Sequence, residues 1–203
     1  VSADYSQIEL RVIASLSNDE DMIKAFNNNE DIHKSTASKV FNVELENVTK
    51  EQRSHAKVVN FGIIYGVSAF GLSNQTDLSR SESKEIIDNY YKSYPKLKEF
   101  TSKQIEFARS NGYVKTLLGR KRYLNDINSR NTIIRSSAER NAINSPVQGT
   151  AADIIKLAMI KIDNELEKLK LKSKLILQVH DELIFDCPKG EIDIIKDMVH
   201  EKM

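Results

Sequence analysis

The 203 residues contain a single cysteine, Cys187, so neither an internal disulfide nor a cysteine-built metal site can form. No run approaches the ~18 consecutive apolar residues of a membrane-spanning helix, which excludes that class. Only three Pro and seven Gly punctuate the chain, which favours long helices over many short strands. An excess of one charge is also missing. Lys and Arg number 30 against 29 Asp and Glu, a net +1, so the total carries no sign of a nucleic-acid partner. With 40% hydrophobic and 29% charged residues the composition is that of a globular protein, neither disordered nor fibrous. At ~100–200 residues per domain, one or two domains are expected. The chain opens on Val1 with no initiator Met, charged n-region or apolar h-region. We therefore expect an internal segment of a longer protein, with any targeting signal upstream.

Apolar residues recur at helical spacing through residues 8–16, 86–107 and 154–169, and residues 192–203 form an amphipathic pattern. Ser145-Pro146-Val147-Gln148 predicts a helix start, with Ser at the N-cap, Pro at N1 and Gln positioned to close a capping box. Residues 175–179 and 183–185 flank His180-Asp181-Glu182, which predicts a hairpin with its turn there, and residues 1–5 predict a neighbouring strand. Charge is uneven along the chain. Residues 96–122 carry eight Lys or Arg against Glu99 and Glu106, a local +6 that suits either a solvated face or a phosphate backbone.

Three groups of residues carry chemistry. Asp4 ends the first apolar strand and Asp181 stands at the hairpin turn. Each alone would pass for a cap or turn residue. On adjacent strands, two carboxylates can hold the pair of divalent ions, ~3.5–4 Å apart, that organises an in-line phosphoryl displacement. Arg53, Lys57, Phe61 and Tyr65 follow one another at i, i+4 steps, each advancing about 40° around a helix. The resulting stripe is cationic at its start and aromatic further on. It suits a triphosphate followed by sugar and base, or else a surface helix with snorkelling bases. Gly62 and Gly66 each cost such a helix about 1 kcal/mol relative to Ala, which fits a helix that must move or let a base approach. Arg140, Asn144 and Gln148 form a third i, i+4, i+8 series, which Pro146 is expected to interrupt.

Asp4-Tyr5-Ser6-Gln7-Ile8-Glu9-Leu10-Arg11 resembles motif A of the DNA polymerase I family, family A. The stretch from Arg53-Ser54-His55-Ala56-Lys57 through Asn60-Phe61-Gly62 to Tyr65-Gly66 resembles motif B, and Gln178-Val179-His180-Asp181-Glu182-Leu183 resembles motif C. Asp31-Ile32-His33 and Gly149-Thr150-Ala151-Ala152-Asp153 extend the likeness through the whole chain.

The resemblance implies an α+β fold: a polymerase palm with a short antiparallel sheet and packed helices, plus an all-helical fingers subdomain, the thumb being outside these residues. Residues 1–25 would be palm with motif A, 26–130 fingers with motif B at 53–66, and 131–203 palm with motif C at 178–183, ending short of its last part. Asp4 and Asp181, with the backbone carbonyl of Tyr5, would hold two Mg²⁺ ions, Mn²⁺ being an alternative, with Glu182 assisting. Arg53, Lys57 and His33 would meet the triphosphate, Lys57 also serving as proton donor to pyrophosphate. Gln7, Glu9, Phe61 and Tyr65 complete the expected nucleotide site. Glu9 takes the steric-gate position that excludes a ribose 2′-hydroxyl, and Phe rather than Tyr at 61 implies weak use of dideoxynucleotides. Arg11, Arg120, Arg140, Asn144, Gln148 and His180 would touch DNA. Some of these contacts would fall on minor-groove acceptors that occupy similar places in every correct pair.

The implied partners are primer-template DNA and deoxynucleoside triphosphates, for a monomeric cytoplasmic enzyme with no membrane association. A single-subunit RNA polymerase and a DNA-binding fragment inactive on its own are the alternatives. Glu9 and Phe61 argue against the first, and the paired carboxylates against the second.

Overall fold

The computed structural model describes residues 1–203, which fold as two compact units. The first comprises residues 1–8 and 149–203, the second residues 9–148.

The first unit is built on a three-stranded antiparallel sheet. β1 (Ser2–Asp4) and β4 (Lys174–Val179) lie on either side of β5 (Glu182–Asp186). β1 pairs with β5 in the register Ser2–Ile184, Ala3–Leu183, Asp4–Glu182. β4 and β5 form the expected hairpin, with an irregularity between Leu175 and Leu177. Strand alternation sends Leu183 and Phe185 into the core. Helix α8 (Thr132–Lys168) buries Ile155, Ala158, Ile162 and Leu166 at helical spacing, and α9 (Ile192–Lys202) buries Ile195, Met198 and Val199.

The second unit is mostly helical: α1 (Ile8–Ser17), α2 (Glu20–Asn27), α3 (Ile32–Phe41), α4 (Lys50–Ile64), the short α5 (Ala69–Ser73), α6 (Arg80–Ser93), α7 (Pro95–Asn111) and the first part of α8. Local chemistry sets several starts. Asp31 caps α3 by accepting from the His33 and Lys34 backbone N–H groups at 3.0 and 3.1 Å. Thr49 and Gln52 close a capping box on α4, and Ser79 and Glu82 close one on α6. α3 packs against α4, with Ile32, Ala37, Val40, Val59 and Ile63 all buried.

Three expectations are corrected. The helix start at Ser145 does not exist, because α8 runs unbroken from Thr132 to Lys168 with Pro146 inside it. An interior proline costs about 3 kcal/mol, but here it sits between the buried Ile143, Val147 and Ala151, whose packing outweighs that cost. Arg140, Asn144 and Gln148 consequently lie on one helix. The apolar periodicity of residues 86–107 spans two helices, α6 and α7, separated at Tyr94. The residue before a proline disfavours helical geometry, and Pro95 is well suited to the first turn of the next helix. Finally, residues 26–130 are not all helical. Gly112, at φ 75°, ends α7, and a ribbon of β2 (Tyr113–Lys115) and β3 (Lys121–Tyr123) follows. Lys115 and Lys121 are paired directly opposite each other, which alone would be repulsive. Both ammonium groups lie over the Tyr113 ring, at 5.5 and 4.5 Å, and this contact offsets the repulsion.

Candidate active site

In the first unit the acidic residues gather at one end of the sheet. Asp4 is the cross-strand partner of Glu182, so their side chains share a face. Asp181 lies in the turn between β4 and β5, next to His180 at φ 54°. The Tyr5 backbone N–H donates to the Asp181 carbonyl at 3.3 Å, tying the two motifs together. Burial, and then the neighbouring Asp181 and Glu182 carboxylates, push the Asp4 carboxyl above its ordinary range. The Ser2 hydroxyl donates to Glu182. Carboxylates are hard oxygen donors of the kind a divalent ion takes, but the ligand atoms of Asp4, Asp181 and Glu182 do not all lie within 4.8 Å of one another; the trio that meets this distance is Glu51, His55 and Asp77.

In the second unit Arg53, Lys57 and Phe61 follow one another along α4, and Tyr65 is its C-cap. Gly66 lies beyond the helix, at φ 65°, so its presence answers a turn rather than weakening a helix. Arg53 donates through Nε to Asp31 at 2.7 Å. Burial alone would raise the Asp31 carboxyl, but Arg53 and the two backbone donors together hold it below the ordinary range. His33 is buried in the first turn of α3, its ring 5.8 Å from that of Phe61. Burial pushes its pKa down; Asp31 opposes the shift while Arg53 and Lys57 add to it. His33 is therefore a neutral imidazole beside two cations.

Glu9, at the start of α1, accepts a hydrogen bond of 2.8 Å from the Tyr65 hydroxyl. An open cavity of about 710 Å³ is lined by Lys57, Phe61, Tyr65, Gly66, Gln75 and Arg140, among others. The stripe of α4 and the head of the α8 series thus share one concavity. A Cβ on Gly66 would stand 2.9 Å from the Arg140 Cγ, so only glycine lets these two segments approach this closely.

A family model described as DNA polymerase family A matches residues 1–203. The chain belongs to DNA polymerase family A. It is 54% identical over 203 residues to DNA polymerase I of Caldicellulosiruptor bescii, covering 100% of this chain and 24% of that protein. With DNA polymerase I of Bacillus subtilis it shares 50% over 202 residues, covering 100% of this chain and 23% of that protein. The chain thus spans about a quarter of the length of these relatives. The POL domain of Pol1 from M. smegmatis, in complex with DNA primer-template and dNTP, superposes with a TM-score of 0.94 at 43% identity. That match covers 99% of this chain and 35% of that one.

The remaining expected residues of this family A chain are placed as follows. Gln7 takes a left-handed backbone, φ 56°, just before α1, and is half-buried. The Arg11 guanidinium lies over the Phe26 ring at 4.7 Å. His180 is exposed and its carbonyl accepts from the Gln178 side chain at 2.9 Å. Arg120 is exposed in the turn of the β2–β3 ribbon. The ribbon concentrates the basic run, since Lys96, Lys103 and Arg109 of α7 are paired with Glu99, Glu99 and Glu139. Asn144 turns a buried side-chain oxygen inward without a partner. Asn60, Thr36 and Gln75 went unnoticed in the sequence. Asn60 falls inside motif B, and its polarity at a core position of an amphipathic helix was the one available signal.

No helix is long and apolar enough to cross a membrane.

Proposed function

We propose that this chain supplies the nucleotidyl-transfer chemistry of a template-directed DNA polymerase, acting on primer-template DNA and deoxynucleoside triphosphates. The primer 3′-hydroxyl attacks the α-phosphorus, the bond to the bridging oxygen of pyrophosphate breaks, and the hydroxyl proton passes to solvent water. The observation that carries this reading is the placing of Asp4, Asp181 and Glu182 at one end of a sheet, within a family match over residues 1–203.

Asp4 and Asp181, with the Tyr5 carbonyl, would hold two Mg²⁺ ions in this reading, with Glu182 strengthening the negative field beside them. Bound there, such ions would supply charge neutralisation for the attacking and leaving oxygens. Arg53 spends Nε on Asp31 and keeps its terminal nitrogens for phosphate oxygens. Lys57 binds phosphate and hands a proton to departing pyrophosphate. Phe61 and Tyr65 pack against sugar and base, Gln7 supports the nucleotide, and Glu9 closes the space a 2′-hydroxyl would need. Arg11, Arg120, Arg140, Asn144, Gln148 and His180 contact DNA.

We assign residues 1–25 and 131–203 to the palm and 26–130 to the fingers, in a monomeric, cytoplasmic enzyme. The Glu9–Tyr65 hydrogen bond favours deoxynucleotide over ribonucleotide synthesis, against an RNA polymerase.

Single-nucleotide addition in a polymerase of family length carrying these residues tests the reading. Asp181→Ala should lower the addition rate at least about a thousandfold, since several kcal/mol of charge stabilisation is lost. Duplex binding by fluorescence anisotropy should hold within about twofold. Near-normal addition by Asp4→Ala or Asp181→Ala would refute the metal assignment.

A further inference from the structure

A chain of four buried polar groups runs through the second unit behind the nucleotide stripe. Tyr94, Thr36, Asn60 and His33 expose 1%, 0%, 0% and 3% of their surfaces, so the polar atoms that face one another must be paired inside the protein. The Tyr94 hydroxyl lies 3.2 Å from Thr36 Oγ1. Thr36 Oγ1 lies 3.2 Å from Asn60 Oδ1, and Asn60 Nδ2 lies 3.0 Å from His33 Nδ1.

The direction of this chain follows from its far end. Two polarities satisfy the middle: protons point either from Tyr94 toward His33, or, with the Asn60 amide turned over, from His33 toward Tyr94. Burial raises the Tyr94 pKa to about 12, so the phenol is protonated and has one hydrogen to donate. Thr36 is its only hydrogen-bond partner. In the reversed polarity Thr36 donates to Tyr94, and the buried phenolic hydrogen has nowhere to go. An orphaned buried donor costs about 1–3 kcal/mol, which decides between the two. Tyr94 therefore donates to Thr36, Thr36 to Asn60 Oδ1, and Asn60 Nδ2 to His33 Nδ1. A ring nitrogen that accepts carries no hydrogen, so the neutral imidazole bears its proton on Nε2.

We propose that Tyr94, Thr36 and Asn60 are positioning residues that lock His33 in the Nε2–H tautomer and so make it a standing neutral hydrogen-bond donor toward nucleotide phosphate. The phosphate role rests on the function proposed above; the tautomer does not. The charged groups that act on the ring are Asp31 on its own helix and Arg53 and Lys57 on α4. The two cations disfavour an imidazolium, so the tautomer alone decides whether a proton is offered.

Long-range ¹H–¹⁵N NMR of the His33 ring in the unliganded protein tests the lock, with Tyr94→Phe and Thr36→Val as variants. Wild type should show the Nε2–H form alone. Tyr94→Phe removes the group that dictates polarity, and Thr36→Val cuts the chain, so each should admit the Nδ1–H form. Unmixed Nε2–H in both folded variants, or Nδ1–H in wild type, would overturn the proposal. At equal tautomer populations the apparent nucleotide KM should rise about twofold with kcat unchanged, because half the molecules are binding-competent. Mixed tautomers with an unchanged KM would sustain the lock and defeat the phosphate role of His33.

Discussion

The hydroxyl of Tyr65, at the end of the motif B helix, donates to the carboxylate of Glu9 at 2.8 Å, across 56 residues of sequence. The contact holds both side chains in place and pushes the Tyr65 pKa upward, burial being the larger cause and Glu9 the next. An ion-dipole hydrogen bond of this kind contributes about 1.5–3 kcal/mol. It gives the Glu9 carboxylate, proposed above as the steric gate, a fixed position that an isolated helix glutamate would lack.

Glu9→Ala should therefore raise ribonucleotide incorporation, by about tenfold or more. Tyr65→Phe keeps the carboxylate but frees it, and should produce a smaller rise. Competition between dNTP and rNTP in single-nucleotide addition measures both. Unchanged sugar selectivity in Glu9→Ala would remove the gate.

Phe61 stands midway along the stripe of α4 with the cavity beside it. Phe61→Tyr adds one hydroxyl where the family resemblance puts the nucleotide sugar, and should increase termination by dideoxynucleotides severalfold. Sequencing-gel termination frequency at equal ddNTP/dNTP ratios checks this. No change would place Phe61 away from the sugar.

The depressed pKa of His33 predicts a pH-dependent stability. The folded protein releases its proton more readily than the unfolded chain, whose histidine titrates near 6.5. Between the folded value and 6.5 the unfolded state thus binds more protons, so stability rises with pH there and is lost as pH falls below about 6.5. Urea unfolding from pH 7.5 to 5.5 should show this loss. His33→Gln should have a shallower slope, and equal slopes would refute the assignment.

Gly66→Ala should be destabilising without removing any polar or charged group. The residue holds φ at 65°, which costs a side-chain-bearing residue about 1–2 kcal/mol, and the new Cβ would press on Arg140. A lower urea midpoint with an unchanged m-value is expected, and a neutral effect would show that the turn can relax.

Motif-level chemistry was readable from the chain because it is local. Spacing at i, i+4 places Arg53, Lys57 and Phe61 along one helix, and strand alternation and a polar turn mark the β4–β5 hairpin. The same local logic failed at Ser145-Pro146, where burial of the surrounding helix overrode a strong start signal. It also failed in residues 26–130, where a ribbon closed by cross-strand tyrosines and cation–ring contacts replaced helix.

By itself, then, the order of residues determined the family, the acidic and cationic groups available, and most helices and strands, since each depends on neighbours a few positions apart. The partnership of Glu9 with Tyr65, the alignment of Asp4 with Glu182, and the chain from Tyr94 to His33 were decided only by tertiary structure. They join residues 56, 178 and up to 58 positions apart, and such pairs form only when packing of apolar faces brings separate elements together; along the chain from Tyr94 to His33, burial also leaves the linking polar atoms no partner but each other.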